Sequence, residues 1–539
     1  MRAHNFRPVQ DLTVGGMLDA QADSRSDRVW LRSDDRTVTF AEAAERSRRI
    51  AGGLAALGAV RRSVVALLME PSIELVMTGV SAARIGTIFM PISTDFKGAF
   101  LADALADSTA SILCVDAKFA TLLDGLDLPG SIRHVVVVGD GAPGLPLPGV
   151  SVHDYRAVSG YDPAPAVAVE PTDPLMVWWS SGTTGRPKGI THSHASLLNA
   201  ADIWASDRDV TPDDCFYTCL PMYLGMSWTG SIWPSLIAGV SAAIDPHFSV
   251  SQFWSRTRKY NATIISTLGS MHMYLLQAPE RPDDKDNPVR FASPVPLPWE
   301  LVPRFKERFA IAEVSQVYGQ SETPCRVFWA PEDGTPWRAN SIGRPSDQLW
   351  EVRLVDDQDQ DVPAGEVGQI IARPRRSNLL FLGYFNAPDI TAATWRDLWH
   401  HTGDLARRDA DGQYYFADRK KDYIREKGRN ISMVEVETVV QAHPRVKAVA
   451  AYGIASAALE SESELALAVV VRGEEPVEFE ELARYINDNA PYYFVPRYIT
   501  VVDALPENAQ FKVDKKILRE LGVQTTSWDR DAAGFVPAR

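Results

Sequence analysis

With 539 residues, the chain is too long for one hydrophobic core, so two or more domains are expected. Its 45% hydrophobic and 23% charged residues are the composition of an ordinary soluble globular protein. A net charge of -14 argues against nonspecific nucleic-acid binding and for solubility, leaving only a local basic patch open.

The N-terminus, MRAHNFRPVQDLTVGG, has no apolar run of signal-peptide type, and no uninterrupted apolar stretch approaches a membrane span. Four scattered cysteines (Cys114, Cys215, Cys219, Cys325) make neither a disulfide framework nor a zinc set. Cys215 and Cys219 have the spacing of one helical turn, but no second metal-binding pair accompanies them, and buried thiols are expected. A reducing, cytoplasmic location fits these features.

In chain order, Thr39-Phe40-Ala41-Glu42 reads as a capping box opening a helix that carries Ile50, Leu54 and Leu57 and stops at Gly58. SVVALLM (63–69) has the apolar run of a buried strand. A helical stretch around 72–84 follows, then a second strand, TIFMPI (87–92). Strand, helix, strand is the unit of a mostly parallel sheet. SILCVD and HVVVVGD extend it, and GDGAPGLPLPGV and YDPAPAVAVEPTDP read as connectors. Beyond residue 420 the pattern changes. A charged patch, DRKKDYIREKGRN, precedes a small α/β pattern with strands VKAVAAYG and LALAVVV and a helix FEELARYIND. The expected division is 1–420 and 421–539, with the boundary at Lys421.

The second connector leads into MVWW, a strand, and then SSGTTGRPKG: Ser180, Ser181, Gly182, Thr183, Thr184, Gly185 and, after Arg186-Pro187, Lys188 and Gly189. Glycines let backbone amides approach an anion, hydroxyls add donors and the lysine adds a mobile charge. Pro187, between Gly185 and the lysine, separates this loop from a Walker A sequence.

SSGTTGRPKG resembles the signature loop of the AMP-forming adenylating superfamily, which holds acyl-CoA synthetases, peptide-synthetase adenylation domains and luciferase. Further segments resemble the family's motifs in the same order: Tyr318-Gly319-Gln320-Ser321-Glu322, Thr402-Gly403-Asp404, Asp418-Arg419-Lys420-Lys421-Asp422 and LPENAQFKVDKK around Lys512. The likeness covers essentially the whole chain. It implies a large N-terminal domain of packed α/β sheets and a small mobile α+β C-terminal domain.

The resemblance also implies roles. The loop grips the β- and γ-phosphates of ATP, with Thr184 among the catalytic groups. Tyr318, Gly319, Gln320 and Ser321 border the nucleotide and Glu322 holds Mg²⁺. Asp404 and Arg419 contact ribose, Lys421 is the hinge, and Gly428 with Arg429 borders the pantetheine tunnel of CoA. Lys512 is the catalytic lysine, stabilising charge that develops at the α-phosphate. Departures from the pattern are Ser321 for threonine, Asn508 for threonine, Phe511 for glycine, and Ser293-Pro294-Val295-Pro296 where an adenine-framing Gly-Ala-Pro is usual.

The segment that the resemblance places at the acyl site reads Pro221-Met222-Tyr223-Leu224-Gly225-Met226-Ser227-Trp228, with Leu224 where the family carries a histidine and no aspartate to pair with a substrate amine. Tyr223, Leu224, Met226, Trp228 and Trp233 are candidates for an apolar pocket, against the alternative that several are core. The expected activity is an ATP- and Mg²⁺-dependent ligase joining a hydrophobic acid, bulky polycyclic or terpenoid before fatty or aromatic, to CoA. Two alternatives stand beside it: delivery to a carrier protein, and a homologue weakened in adenylation. No nucleic acid or membrane span is expected, and a homodimer is left open.

Overall fold

The computed structural model describes residues 13–140, 147–180, 188–268, 271–330, 338, 341–419, 424–426, 429–431, 433–455, 463–473, 477–490, 492–508 and 512–537. The chain divides into two compact units. The first comprises Met1–Ala339, Pro345–Glu351 and Pro374–Arg396, and the second Asn340–Arg344, Val352–Arg373 and Asp397–Arg539. Lys421 falls within the second and outside the described residues.

In the first unit the strands run β1 (Val29–Ser33), β2 (Arg36–Thr39), β3 (Val64–Leu68), β4 (Ile88–Pro91), β5 (Ile112–Asp116), β6 (His134–Val138), β7 (Ser151–Asp154), β8 (Pro174–Ser180), β9 (Lys188–Ser193), β10 (Cys215–Thr218), β11 (Ser241–Ile244), β12 (Ile264–Leu268), β13 (Phe291–Val295) and β14 (Glu313–Val314). One sheet has the order β14-β13-β12-β10-β11-β1-β2. The other runs β9-β8-β4-β3-β5-β6-β7, with Gly383–Tyr384 added outside β9. Both are mainly parallel, and all five residues of β3 are buried, as a strand covered on both faces requires.

The helix Phe40–Ala56 begins with the expected capping box, Thr39 and Glu42 exchanging side-chain bonds with each other's amides, worth about 1 kcal/mol. It ends before Gly58, whose φ of +89° suits glycine. Helix Ile73–Arg84 then links β3 to β4. The core of the first sheet joins Tyr217, Ile265 and Ala292 to Phe305 and Phe309 of the helix Val302–Phe309. That of the second joins Val64, Met90 and Val137 to Leu101 and Leu105.

All four cysteines are buried, free thiols. The helical-turn spacing of Cys215 and Cys219 does not describe them: Cys215 opens strand β10 and Cys219 follows its end. Burial pushes each thiol up to about 12, so they stay protonated.

The second unit contains strands Ser341–Pro345, Tyr414–Arg419, Trp399–Arg408 and Val367–Pro374, paired antiparallel in that spatial order. A separate sheet orders Val446–Ala455, Ser463–Val471, Tyr498–Val501 and Trp528–Asp529. The helix Phe479–Asn489 buries Leu482, Ala483 and Ile486 in the core with Leu467 and Ile499. No described helix is long and apolar enough to cross a membrane.

Candidate active site

β8 and β9 are antiparallel, with Ser180 opposite Lys188, Trp179 opposite Gly189 and Trp178 opposite Ile190. The glycine-rich loop is therefore carried between two paired strands, and the helix His194–Asp207 follows only after β9. Ser181, Gly182, Thr183, Thr184 and Gly185 lie outside the described residues. Lys188 is described: its Nζ sits 5.2 Å from the centroid of the Tyr384 ring. The Tyr384 hydroxyl donates to Glu322 Oε1 at 2.7 Å. Burial, together with the adjacent Glu322 charge, pushes the phenol well above its usual range, so it remains a donor. The structure thus brings Lys188 and Glu322 to one residue, Tyr384, that lies outside the candidates read from the sequence. The signal available was an aromatic hydroxyl in GYF.

The segment from Tyr318 to Pro324 is held at most of its carbonyls. Val327 N–H donates to Tyr318 O at 2.8 Å, Thr323 N–H to Gln320 O at 3.0 Å, and Phe381 N–H to Glu322 O at 3.0 Å. His192 Nε2 reaches Ser321 O at 2.8 Å, and Trp204 Nε1 donates to Pro324 O at 3.1 Å. Gln320 N–H donates to Thr323 Oγ1 at 2.8 Å. A Cβ on Gly319 would stand 3.1 Å from Cys325 O, so the turn has little room for one.

Ser293 and Pro294 lie within β13, where a proline ordinarily loses a ladder bond. Here the phase spares it. Ser315 N–H bonds Ala292 O, so Ala292 and Pro294 direct their backbone groups toward β14, which pairs only as far as Ala292. The bonds to β12 fall to the alternate residues. Pro296 O accepts from His272 Nε2 at 2.7 Å, and Gln316 brackets Leu297 through its N–H (3.0 Å) and C=O (2.6 Å).

In the segment 221–228 the Tyr223 hydroxyl donates to Asp95 at 3.1 Å, and Leu224 is buried. Gly225 lies against the Trp178 indole, where a Cβ would be 2.9 Å from Cε2. Met226 is half-buried. Trp228 has no exposure: it stacks with Trp233 at 5.1 Å, meets Phe89 at 5.1 Å, and gives its indole N–H to Met222 O at 2.7 Å. Trp228 and Trp233 are thus core side chains.

In the second unit, Thr402-Gly403-Asp404 forms an irregularity where Gln369 pairs with Leu405 but Ile371 with His401. Gly403 has φ +70°, and Thr402 Oγ1 donates to Ile370 O at 2.7 Å and accepts from Asp404 N–H at 3.1 Å. This turn buries Asp404 and sets it opposite Arg419 on the neighbouring strand. Gly428 lies outside the described residues. Arg429 pairs with Glu426 in a two-stranded ladder. Lys512 is exposed on a loop closed by Asn508 N–H to Lys512 O (2.8 Å), Lys512 N–H to Asn508 Oδ1 (3.2 Å) and a Glu507–Val513 bridge.

Among the described residues no three His, Cys, Asp or Glu side chains form a metal cluster. Glu322, a half-buried hard oxygen donor, suits Mg²⁺, which binds through one or two carboxylates and substrate phosphates rather than a protein cage.

Comparison with known proteins gives a consistent result. The family described as AMP-binding enzyme matches residues 18–385, and the AMP-binding enzyme C-terminal domain matches 435–512. A crotonobetaine/carnitine–CoA ligase of Salmonella paratyphi A (strain ATCC 9150 / SARB42) is 29% identical over 492 residues, 90% of this chain and 93% of the relative. The crystal structure of the anthranilate CoA ligase AuaEII with anthranoyl-AMP is similar at TM-score 0.83 and 24% identity, covering 97% of this chain and 99% of that one. A benzoate CoA ligase from Burkholderia xenovorans LB400 gives TM-score 0.81 at 22% identity, covering 94% and 100%.

Proposed function

The chain belongs to the AMP-binding enzyme family, and from that premise we propose an acid–thiol ligase that couples a hydrophobic carboxylic acid to CoA through an acyl-adenylate. The acid's carboxylate attacks the α-phosphorus of ATP, and the bond to pyrophosphate breaks. The CoA thiol then loses its proton and attacks the acyl carbon, and AMP leaves. The observation that carries this reading is the meeting of Lys188 and Glu322 at Tyr384.

In this mechanism Ser180 to Gly185 and Lys188 hold the β- and γ-phosphates. Tyr318 to Ser321 with the 293–296 strand border adenine, and Asp404 and Arg419 hold ribose. Glu322 would hold Mg²⁺, which when bound neutralises phosphate charge. Tyr384 orients that carboxylate by donating to one oxygen. Lys512 stabilises charge at the α-phosphate. The boundary between 1–420 and 421–539, with Lys421 as the hinge on which Lys512 and the Gly428–Arg429 segment exchange, is part of the same proposal. The direction of Pro294's backbone spares the ladder to β12, so the strand that would border adenine keeps its pairing.

For the acid, Leu224 and Met226 support an apolar chain or ring system, with Tyr223 at the wall and Trp228 behind it. Bulky polycyclic or terpenoid acids lead the proposal, before fatty and aromatic acids. The test is acid-dependent pyrophosphate release across those three classes, with and without CoA. Release only with polycyclic acids, and thioester only with CoA, is expected. Release that feeds a holo carrier protein in preference to CoA sinks the CoA assignment.

A further inference from the structure

We propose that His192 is a positioning residue for Glu322, fixing through the Ser321 carbonyl the carboxylate that meets metal-bound ATP. The inference rests on the ligase reading above and adds to it a residue outside the signature motifs.

Lys188 and His192 stand four positions apart on β9, so a strand's period of two puts both on one face. That strand also pairs with the segment bearing Tyr384. Ile190 lies opposite Tyr384 and Thr191 opposite Gly383, with Phe385 N–H donating to Gly189 O and Leu382 N–H to Thr191 O, each at 2.7 Å. Tyr384 reaches the Glu322 carboxylate, while His192 reaches the carbonyl of the residue before it. Lysine, carboxylate and loop backbone are therefore all registered on β9.

The protonation of His192 follows from its partners. A carbonyl only accepts, so Nε2 carries the hydrogen, and in a neutral ring Nδ1, 3.3 Å from Ser196 Oγ, is the acceptor side. The ring is fully buried and packs on Trp178 with centroids 4.3 Å apart, which fixes its plane. Trp178 in turn supports Gly225 of the acyl-site segment. Residues that orient a metal-binding group from behind commonly cost about 10-fold or more in metal affinity when lost.

Equilibrium binding of ATP to the full chain, with Mn²⁺ and separately in EDTA, tests the assignment. His192→Gln places an amide N–H near the position of Nε2, whereas His192→Asn reaches only as far as Nδ1. Both are neutral amides, so the pair separates position from polarity. His192→Asn is expected to weaken Mn²⁺·ATP binding about 10-fold with metal-free ATP binding nearly unchanged, and His192→Gln to recover most of the loss. A parallel loss in both conditions, unrecovered by glutamine, reduces His192 to a core residue and overturns the proposal. So does an asparagine variant that binds Mn²⁺·ATP like wild type. Wild-type protein that binds no ATP at all overturns the ligase reading instead, and this inference with it.

Discussion

The Glu322 segment and the Lys512 loop carry the two charges on which the proposed chemistry depends most, and they are built in opposite ways. The Glu322 segment is tied down from far along the chain: His192 and Trp204 reach it across 129 and 120 residues. The Lys512 loop is closed by its own neighbours, Asn508 with Lys512 and Glu507 with Val513, and its lysine is exposed. A carboxylate meant for a fixed place needs a scaffold that cannot shift, which distant contacts supply. A lysine meant to enter and leave a reaction centre needs a loop that keeps its shape wherever it is carried.

The widest difference is expected under acid. Burial lowers His192 to about 3 and His194 and His272 to about 4, all in the first unit, while in the second burial lowers His400 to about 3. Folded, these rings stay neutral. Unfolded, each takes up a proton below the ordinary histidine value near 6.5. Their stabilising contribution is thus complete above pH 6.5 and lost as pH falls toward 4 and 3. Each costs about 1.4 kcal/mol per pH unit in that window, so three cost the first unit about 4 kcal/mol by pH 5.5. Pulse proteolysis with mapped cleavage sites at pH 7.5 and 5.5 checks this. First cuts in 446–501 at the lower pH count against it.

Next in size is Lys512→Ala, expected to reduce acid-dependent pyrophosphate release by about 100-fold or more while leaving the melting temperature unchanged, because the side chain is exposed. A variant with unchanged release removes Lys512 from the adenylation step. Tyr384→Phe takes one donor from the Glu322 carboxylate, a charge-assisted bond worth about 2 kcal/mol, and an approximately 10-fold to 30-fold loss of kcat/KM for ATP is expected. An equal loss in the thioester step from supplied acyl-AMP shows instead that Tyr384 serves the whole unit.

How legible each region was follows the same division. The capping box at Thr39 and Glu42 and the all-apolar run of β3 are local patterns, and the structure bears out both elements. Asn508 stood out in the sequence as a departure, and its bond to Lys512 spans only four residues. The carbonyl held by His192 has no sequence signature, because a side chain reaching a main-chain oxygen across 129 residues leaves no period and no residue preference on the acceptor. Tyr384 is similar: nothing in its neighbours marks a partner 62 residues away. Trp228 shows another limit, since an aromatic residue beside an acyl-site segment reads alike whether it lines a pocket or stacks on Phe89 and Trp233.

The smallest expected effect probes the comparison most finely. Asn508→Ala removes the acceptor for Lys512 N–H but leaves the backbone bond from residue 508 to Lys512 O and the Glu507–Val513 bridge. An exposed side chain-to-backbone bond of this kind contributes about 1 kcal/mol, so a loss of adenylation near 5-fold is expected, with thioester formation from supplied acyl-AMP unaffected. A locally closed loop can lose one of the three closures seen among the described residues and still present its lysine. If Asn508→Ala matches Lys512→Ala in severity, the loop does not hold itself, and its shape must come from elsewhere in the chain, as that of the Glu322 segment does.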